Sequence, residues 1–333
     1  MKALLVVFAL PLSLLVACGD SSPAGRGGAG GAAADGGGGA GGALLPEDFI
    51  DPTSYDCTAE GPFEAKARPY EFGCVHDPAC TSRFVVAHRM GSRFAPENSL
   101  AALRASILLG VDIVETDVRL TKDNRAVLLH DGDIDRTLGG SGSVNDFTLA
   151  ELQALPMLPG PSPAAGDFSC EKLPSIEEAL AVGAGKVVIE FETKETAAAI
   201  VTAHYLADQG LYQSAYIQCT PDECDAVRAE VPDVPIMVRV TEMSQLAVAF
   251  AYDPPPILIE VSPEDDFLAA PVLDSIHDNG IKAFTDVFTS ADAGWLFGAD
   301  TSLFPYFFDL GLDALQTEFP HIALYAIDRA EPL

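Results

Sequence analysis

Hydrophobic and polar positions follow two alternating rhythms from Arg83 onward. Short β-branched runs recur between longer stretches whose apolar residues sit three and four apart. The runs predict strands at 84–88 (Phe-Val-Val-Ala-His), 111–118, 187–193, 214–219, 235–240, 256–261, 281–287 and 312–317. Amphipathic stretches at 97–109, 195–209, 222–230 and 266–279 predict helices between them. Eight strands separated by helices predict an α/β fold, a closed (β/α)8 TIM-type barrel, with an open doubly wound sheet as the structural rival. Polar residues gather at the strand ends, where such barrels carry their chemistry, and this favours the barrel. One connection breaks the rhythm. Thr121-Lys122-Asp123-Asn124-Arg125 reads as a tight turn and Ala126 to His130 as a returning strand, a β-hairpin excursion after strand two. A turn centred on 123–124 would set Asp117 opposite His130 and Val118 opposite Leu129.

The first residues have a different pattern. Met1-Lys2 is followed by an almost wholly apolar run, Ala3 to Val16, too short to span a bilayer. It ends in Leu15-Val16-Ala17-Cys18, which resembles a bacterial lipoprotein box. Residues 1–17 are therefore expected to be a signal peptide and Cys18 the lipidated first residue. Pro23 to Ala43 is nearly all Gly and Ala, so 18–43 is expected to be a disordered tether. An N-terminal extension at 44–82 would precede the barrel at 83–333. The expected location is exported and lipid-anchored to the bacterial cell envelope, on its periplasmic or outer surface. Membrane contact would run through the N-terminal lipid only.

Six further cysteines, Cys57, Cys74, Cys80, Cys170, Cys219 and Cys224, form an even set in a chain expected to be exported. They predict structural disulfides, with fifteen pairings possible. Cys57, Cys74 and Cys80 would anchor the extension, and Cys219–Cys224 would close a local loop. The spacings do not resemble a zinc site.

Charge narrows the partners. Against 49 Asp and Glu stand 19 Lys and Arg, a net charge of −30. Nucleic acid is excluded, because affinity for phosphate backbones rests on clustered basic residues. An anionic substrate would need a bound cation or a local knot of basic side chains.

Two strands supply candidates for both. Glu115 and Asp117 are one residue apart, so both point to one face, the interior mouth of a barrel. Glu190, Glu192 and Lys194 form a second such set. Carboxylates this close repel unless a cation or a shared proton intervenes, and an oxygen-rich site suits Mg²⁺ or Ca²⁺. His88 ends strand one and His130 ends the hairpin; histidine is the side chain best suited to proton transfer near neutral pH. Arg89 adds a fork for a phosphoryl oxygen.

Taken in order, these segments resemble the glycerophosphodiester phosphodiesterase family. His88-Arg89-Met90-Gly91-Ser92-Arg93-Phe94-Ala95-Pro96-Glu97-Asn98-Ser99 is similar to its opening motif, and Gly110 to Val118 to its second strand. His130-Asp131 with Arg136-Thr137, Phe191-Glu192-Thr193-Lys194, Ala283-Phe284-Thr285 and Gly311 to Pro320 continue the match over roughly 83–325. The resemblance implies a divalent cation, Ca²⁺ or Mg²⁺, held by Glu115, Asp117 and Glu192. It implies His88 and His130 as the acid–base pair and Arg89 and Lys194 as phosphate ligands. Glu97 would add a ligand or orient one, and Glu190, without a clear counterpart, would support the site from behind. The implied substrate is a small glycerophosphodiester, split to an alcohol and glycerol 3-phosphate. Rival activities are a phospholipase D-like enzyme on sphingomyelin or lysophospholipid and a lipoprotein that binds phosphodiesters without cleaving them. Three departures bear on the substrate: Met90 replaces the family's Gly, where it would crowd the approach, Phe284 replaces a Trp, and Glu318 replaces an Asp.

Overall fold

The β-branched runs become strands, and their pairing decides between barrel and open sheet. The computed structural model describes residues 44–160, 166–264 and 266–333; the expected signal peptide, Cys18 and the tether lie outside the described residues. The strands are β1 (Phe84–Ala87), β2 (Ile113–Leu120), β3 (Ala126–Leu128), β4 (Val188–Thr193), β5 (Ala215–Cys219), β6 (Ile236–Val240), β7 (Leu258–Val261), β8 (Lys282–Asp286) and β9 (Ala314–Thr317). All but β3 pair in parallel in the order β1-β9-β8-β7-β6-β5-β4-β2, and β1 pairs with β2 to close the ring. Closure excludes the open sheet.

The helices are α1 (Leu100–Leu109), α2 (Leu149–Gln153), α3 (Ile176–Gly183), α4 (Thr196–Gln209), α5 (Pro221–Glu230), α6 (Leu246–Ala249), α7 (Ala270–Asp278), α8 (Ala291–Gly298), α9 (Leu303–Asp309) and α10 (Pro320–Ala326). The first begins three residues later than the periodicity suggests, because the Ser99 hydroxyl accepts the backbone N–H of Ala102 and caps it.

The hairpin is present, with its register one residue from the expected one. Val118 pairs with Leu128 and Leu120 with Ala126, so Asp117 does not face His130 across the ladder. The cause is the turn. Thr121 and Arg125 are joined by a backbone hydrogen bond around a three-residue loop, and Asn124 takes a left-handed conformation at φ 55°. That loop is one residue longer than a two-residue turn, and the pairing slides accordingly.

Alternation then divides the side chains. Val85, Val114, Ile189, Phe191, Ile217, Val238 and Ile259 face outward into the layer beneath the helices. Phe84, Val86, Ile113, Val188, Tyr216, Met237, Leu258, Phe284 and Ala314 face inward and fill the lower barrel. The extension closes that end. Cys74 and Val75, with Tyr70 and Phe72, pack on the inward cluster, and Lys282 donates to the carbonyl of Asp77. Arg329 forks onto buried Asp112 at 2.7 and 2.8 Å, with Arg68 3.4 Å away. Disulfides join Cys57 to Cys170, Cys74 to Cys80 and Cys219 to Cys224. The local Cys219–Cys224 loop and the anchored extension are therefore both present.

Buried His321 makes the fold acid-sensitive. Its ring lies 5.4 Å from that of Phe49 and 5.5 Å from that of Phe94, and burial pulls its pKa down to about 3. Below about pH 6.5 the unfolded chain takes up a proton that the folded chain refuses, so stability is lost as pH falls from there towards 3. Between pH 7 and 5, His321→Phe is expected to lose about 2 kcal/mol less than the parent in urea unfolding. Identical pH dependence of the two proteins would refute this.

Candidate active site

Towards the C-terminal ends of the strands, the inward positions turn from apolar to charged. β2 and β4 pair so that Glu115 lies beside Glu190 and Asp117 beside Glu192. Oxygens of Glu115, Asp117 and Glu192 all lie within 4.8 Å of one another. Burial, and then the charges of Asp117, Glu192 and Glu190, push the Glu115 carboxyl well above the usual range. Burial would raise Asp117 too, but Lys194 and the Asn98 amide outweigh it and hold that carboxyl low.

The donor set fits a hard divalent cation. All three residues offer oxygen, the ligand such ions prefer. Oε1 of Glu115 is buried without a hydrogen-bond partner. The Lys194 ammonium, 2.7 Å from Asp117 Oδ1 and 2.6 Å from Glu192 Oε1, already marks a place where positive charge is held.

Two histidines border this group, and each is fastened by a carboxylate at Nδ1. His88 Nδ1 lies 2.6 Å from Glu318 Oε1, while its Nε2 stands 3.9 Å from Glu115 Oε2. Burial raises Glu318, but hydrogen bonds from His88 and Ser92 prevail and hold it at about 2. His130 Nδ1 lies 2.7 Å from Asp131 Oδ1. Asp131, which accepts from Arg136 Nε at 2.7 Å, is likewise held at about 2. An ionised carboxylate only accepts, so Nδ1 carries the hydrogen in both rings and Nε2 is the exchanging position.

The loop after β1 is bent to serve the site. Arg89, Met90 and Gly91 all have positive φ, at 48°, 63° and 101°. This turn brings the Arg89 backbone N–H to Glu115 Oε2 at 2.8 Å. At Gly91 a Cβ would meet Ser106 Oγ at 2.8 Å, so the turn depends on glycine there. Met90 departs from expectation: its side chain is buried in the outer core rather than crowding the mouth. The left-handed backbone swings it inward, and the Ser106 hydroxyl donates to its carbonyl. Phe284 also belongs to the inward apolar cluster, in register with Glu260 on the neighbouring strand.

Glu97 reaches no carboxylate of the trio. It accepts from Arg89 Nη1 at 3.1 Å and receives the Arg136 fork at 2.6 and 2.8 Å, so it ties the two guanidiniums together. Glu190 sits behind the trio, accepting from Tyr216 at 2.7 Å, with its carboxyl pushed well up by burial. Sequence reasoning assigned no role to Asn98, Asp131, Glu318, Arg239 or Glu260. Asn98 donates to Asp117 at 2.9 Å, and Arg239 bridges Glu260 at 2.7 Å and Glu192 at 3.6 Å. Asp131 could have been found as the acid adjoining His130, and Arg239 by its alternation with Met237.

Comparison with known proteins bears on the family and the fold. The model of the glycerophosphoryl diester phosphodiesterase family matches residues 88–321. A glycerophosphodiester phosphodiesterase of Caldanaerobacter subterraneus is 49% identical over 71 residues, 21% of this chain and 29% of that protein. The chain thus spans less than a third of that relative's length. Among solved structures, a glycerophosphoryl diester phosphodiesterase from Parabacteroides distasonis superposes with a TM-score of 0.63 at 21% identity, covering 78% of this chain and 92% of the other. An Oleispira antarctica phosphodiesterase, reported in complex with the product sn-glycerol-3-phosphate, gives 0.59 at 24% identity, covering 74% and 97%. At these identities the superpositions show the shared fold.

Proposed function

The chain belongs to the glycerophosphoryl diester phosphodiesterase family, and from that premise we propose that it hydrolyses glycerophosphodiesters to an alcohol and glycerol 3-phosphate. The observation that carries the reading is the carboxylate trio Glu115, Asp117 and Glu192, the first two buried, with His88 Nε2 turned towards it. The product bound in the Oleispira antarctica relative supports the side of the diester assigned.

Glu115, Asp117 and Glu192 would hold one divalent cation, Mg²⁺ or Ca²⁺, supplying charge that offsets the charge developing on the phosphoryl oxygens. Arg89 and Lys194, tied to the same carboxylates, would bind those oxygens. His88 and His130 would share the proton work through Nε2, one accepting from the attacking oxygen and the other donating to the leaving alkoxide. Glu318 and Asp131 engage Nδ1 of both rings and leave Nε2 as the nitrogen that takes up or gives the proton. Cavities at the mouth are bordered mostly by charged and hydroxyl side chains, which favours a glycerol-sized polar substrate over an acyl chain. The apolar start, Cys18 and the Gly/Ala segment support export and lipid anchoring of the enzyme at the cell envelope.

Phosphorus NMR tests the reaction directly. Incubation with glycerophosphocholine is expected to replace the diester resonance with that of glycerol 3-phosphate. EDTA should stop the conversion and Mg²⁺ or Ca²⁺ restore it. An unchanged diester, or phosphocholine as the product, would overturn the proposal.

A further inference from the structure

Beside the trio Glu115, Asp117 and Glu192, and bordered by none of these three, lies a cavity of about 310 Å³. At about 30 Å³ for each water in the liquid, it could take a group well beyond a single solvent molecule. Arg89, Arg93 and Arg136 converge on its wall with Ser92, Glu97 and Glu318. Three positive charges against two negative ones form a local excess of one, in a chain whose net charge is −30. Arg89 belongs to both this wall and the proposed reacting centre, so the cavity adjoins the place where the phosphoryl oxygens would be bound.

We propose that this cavity is a subsite for a second anionic group on the leaving alcohol, a carboxylate or a phosphate, and that Arg93 selects it. The inference rests on the phosphodiesterase reading above. Arg93 lies in the loop between the His88-Arg89 pair and the Pro96-Glu97-Asn98 segment. Its guanidinium is laid over the Phe319 ring, 4.5 Å from the centroid, and its Nε stands 3.7 Å from Glu318 Oε2. About a third of the side chain remains exposed, and the residue lines the cavity. A guanidinium fixed flat in this way is pre-oriented, and its fork matches the two oxygens of a carboxylate or phosphate. Arg136 is engaged by Glu97 on one edge and Asp131 on the other, and contributes to the field of the cavity from that fixed position. The competing place for a head group is the cavity of about 260 Å³ at the ends of β6, β7 and β8, where Glu260 and Asp286 would favour a cation.

Matched substrates decide the question. Glycerophosphoserine differs from glycerophosphoethanolamine by one carboxylate, and glycerophosphoinositol 4-phosphate differs from glycerophosphoinositol by one phosphate. At low ionic strength the anionic member of at least one pair is expected to have kcat/KM about tenfold higher or more, chiefly through KM. The pair that shows the preference identifies the group. In Arg93→Gln that ratio should fall towards one. A ratio unmoved by the substitution would refute Arg93 as selector, because a purely structural role changes both members alike. Equal efficiency within both pairs, or preference for the less charged member, would overturn the subsite while leaving the phosphodiesterase intact. Cleavage of none of the four would overturn both.

Discussion

Replacing His130 with Ala is expected to cut kcat for glycerophosphocholine at least about a hundredfold while the barrel stays folded. The ring sits outside β3, more than a third of the side chain is exposed, and its Nδ1 is paired with Asp131, so truncation opens no buried cavity. The loss belongs to proton transfer, so KM should change far less than kcat. The same substitution at His88 is a weaker test, because Glu318 would then be left facing Glu115 without the imidazole between them. A folded His130→Ala protein with parental kcat would remove His130 from the mechanism.

Glu115→Gln should cost activity at least about a thousandfold, roughly 4 kcal/mol at about 1.36 kcal/mol per tenfold. Its effect on stability runs the opposite way. Glu115 is buried beside Asp117, Glu190 and Glu192, and its carboxyl resists ionisation because it is desolvated and that environment already carries negative charge. An amide can still accept the Arg89 N–H, and it can add no negative charge to the cluster. In EDTA the variant should therefore melt no lower than the parent. Adding millimolar Mg²⁺ or Ca²⁺ should raise the parental Tm and leave that of the variant nearly unmoved, since a bound ion stabilises only the chain that can hold it. Equal shifts in both would show that the ion binds elsewhere.

Strand periodicity made much of this legible. Residues two apart on a strand share a face, so the spacing alone is enough to put Glu115 with Asp117, and Glu190 with Glu192, on the inner wall of a barrel. What the pattern could not carry was conformation set by single backbone angles. Asn124 at positive φ slides the hairpin, and the left-handed Met90 turns a side chain expected at the mouth into the core. Distance along the chain hid the rest. Glu318 reaches His88 across 230 residues, and Cys57 finds Cys170 across 113. Both are contacts of the folded chain, not of any segment within it.

Closure has a consequence for the order of assembly. The extension around Tyr70 to Cys80 is made long before the strands it rests on, since its seat includes Lys282, Phe284 and Ala314. Its docking surface is complete only when Phe84 has paired with Ala314. The segment from Tyr70 to Cys80 therefore has no complete seat until β9 is in place, and a chain cut short before β9 leaves its own stopper without a bottle.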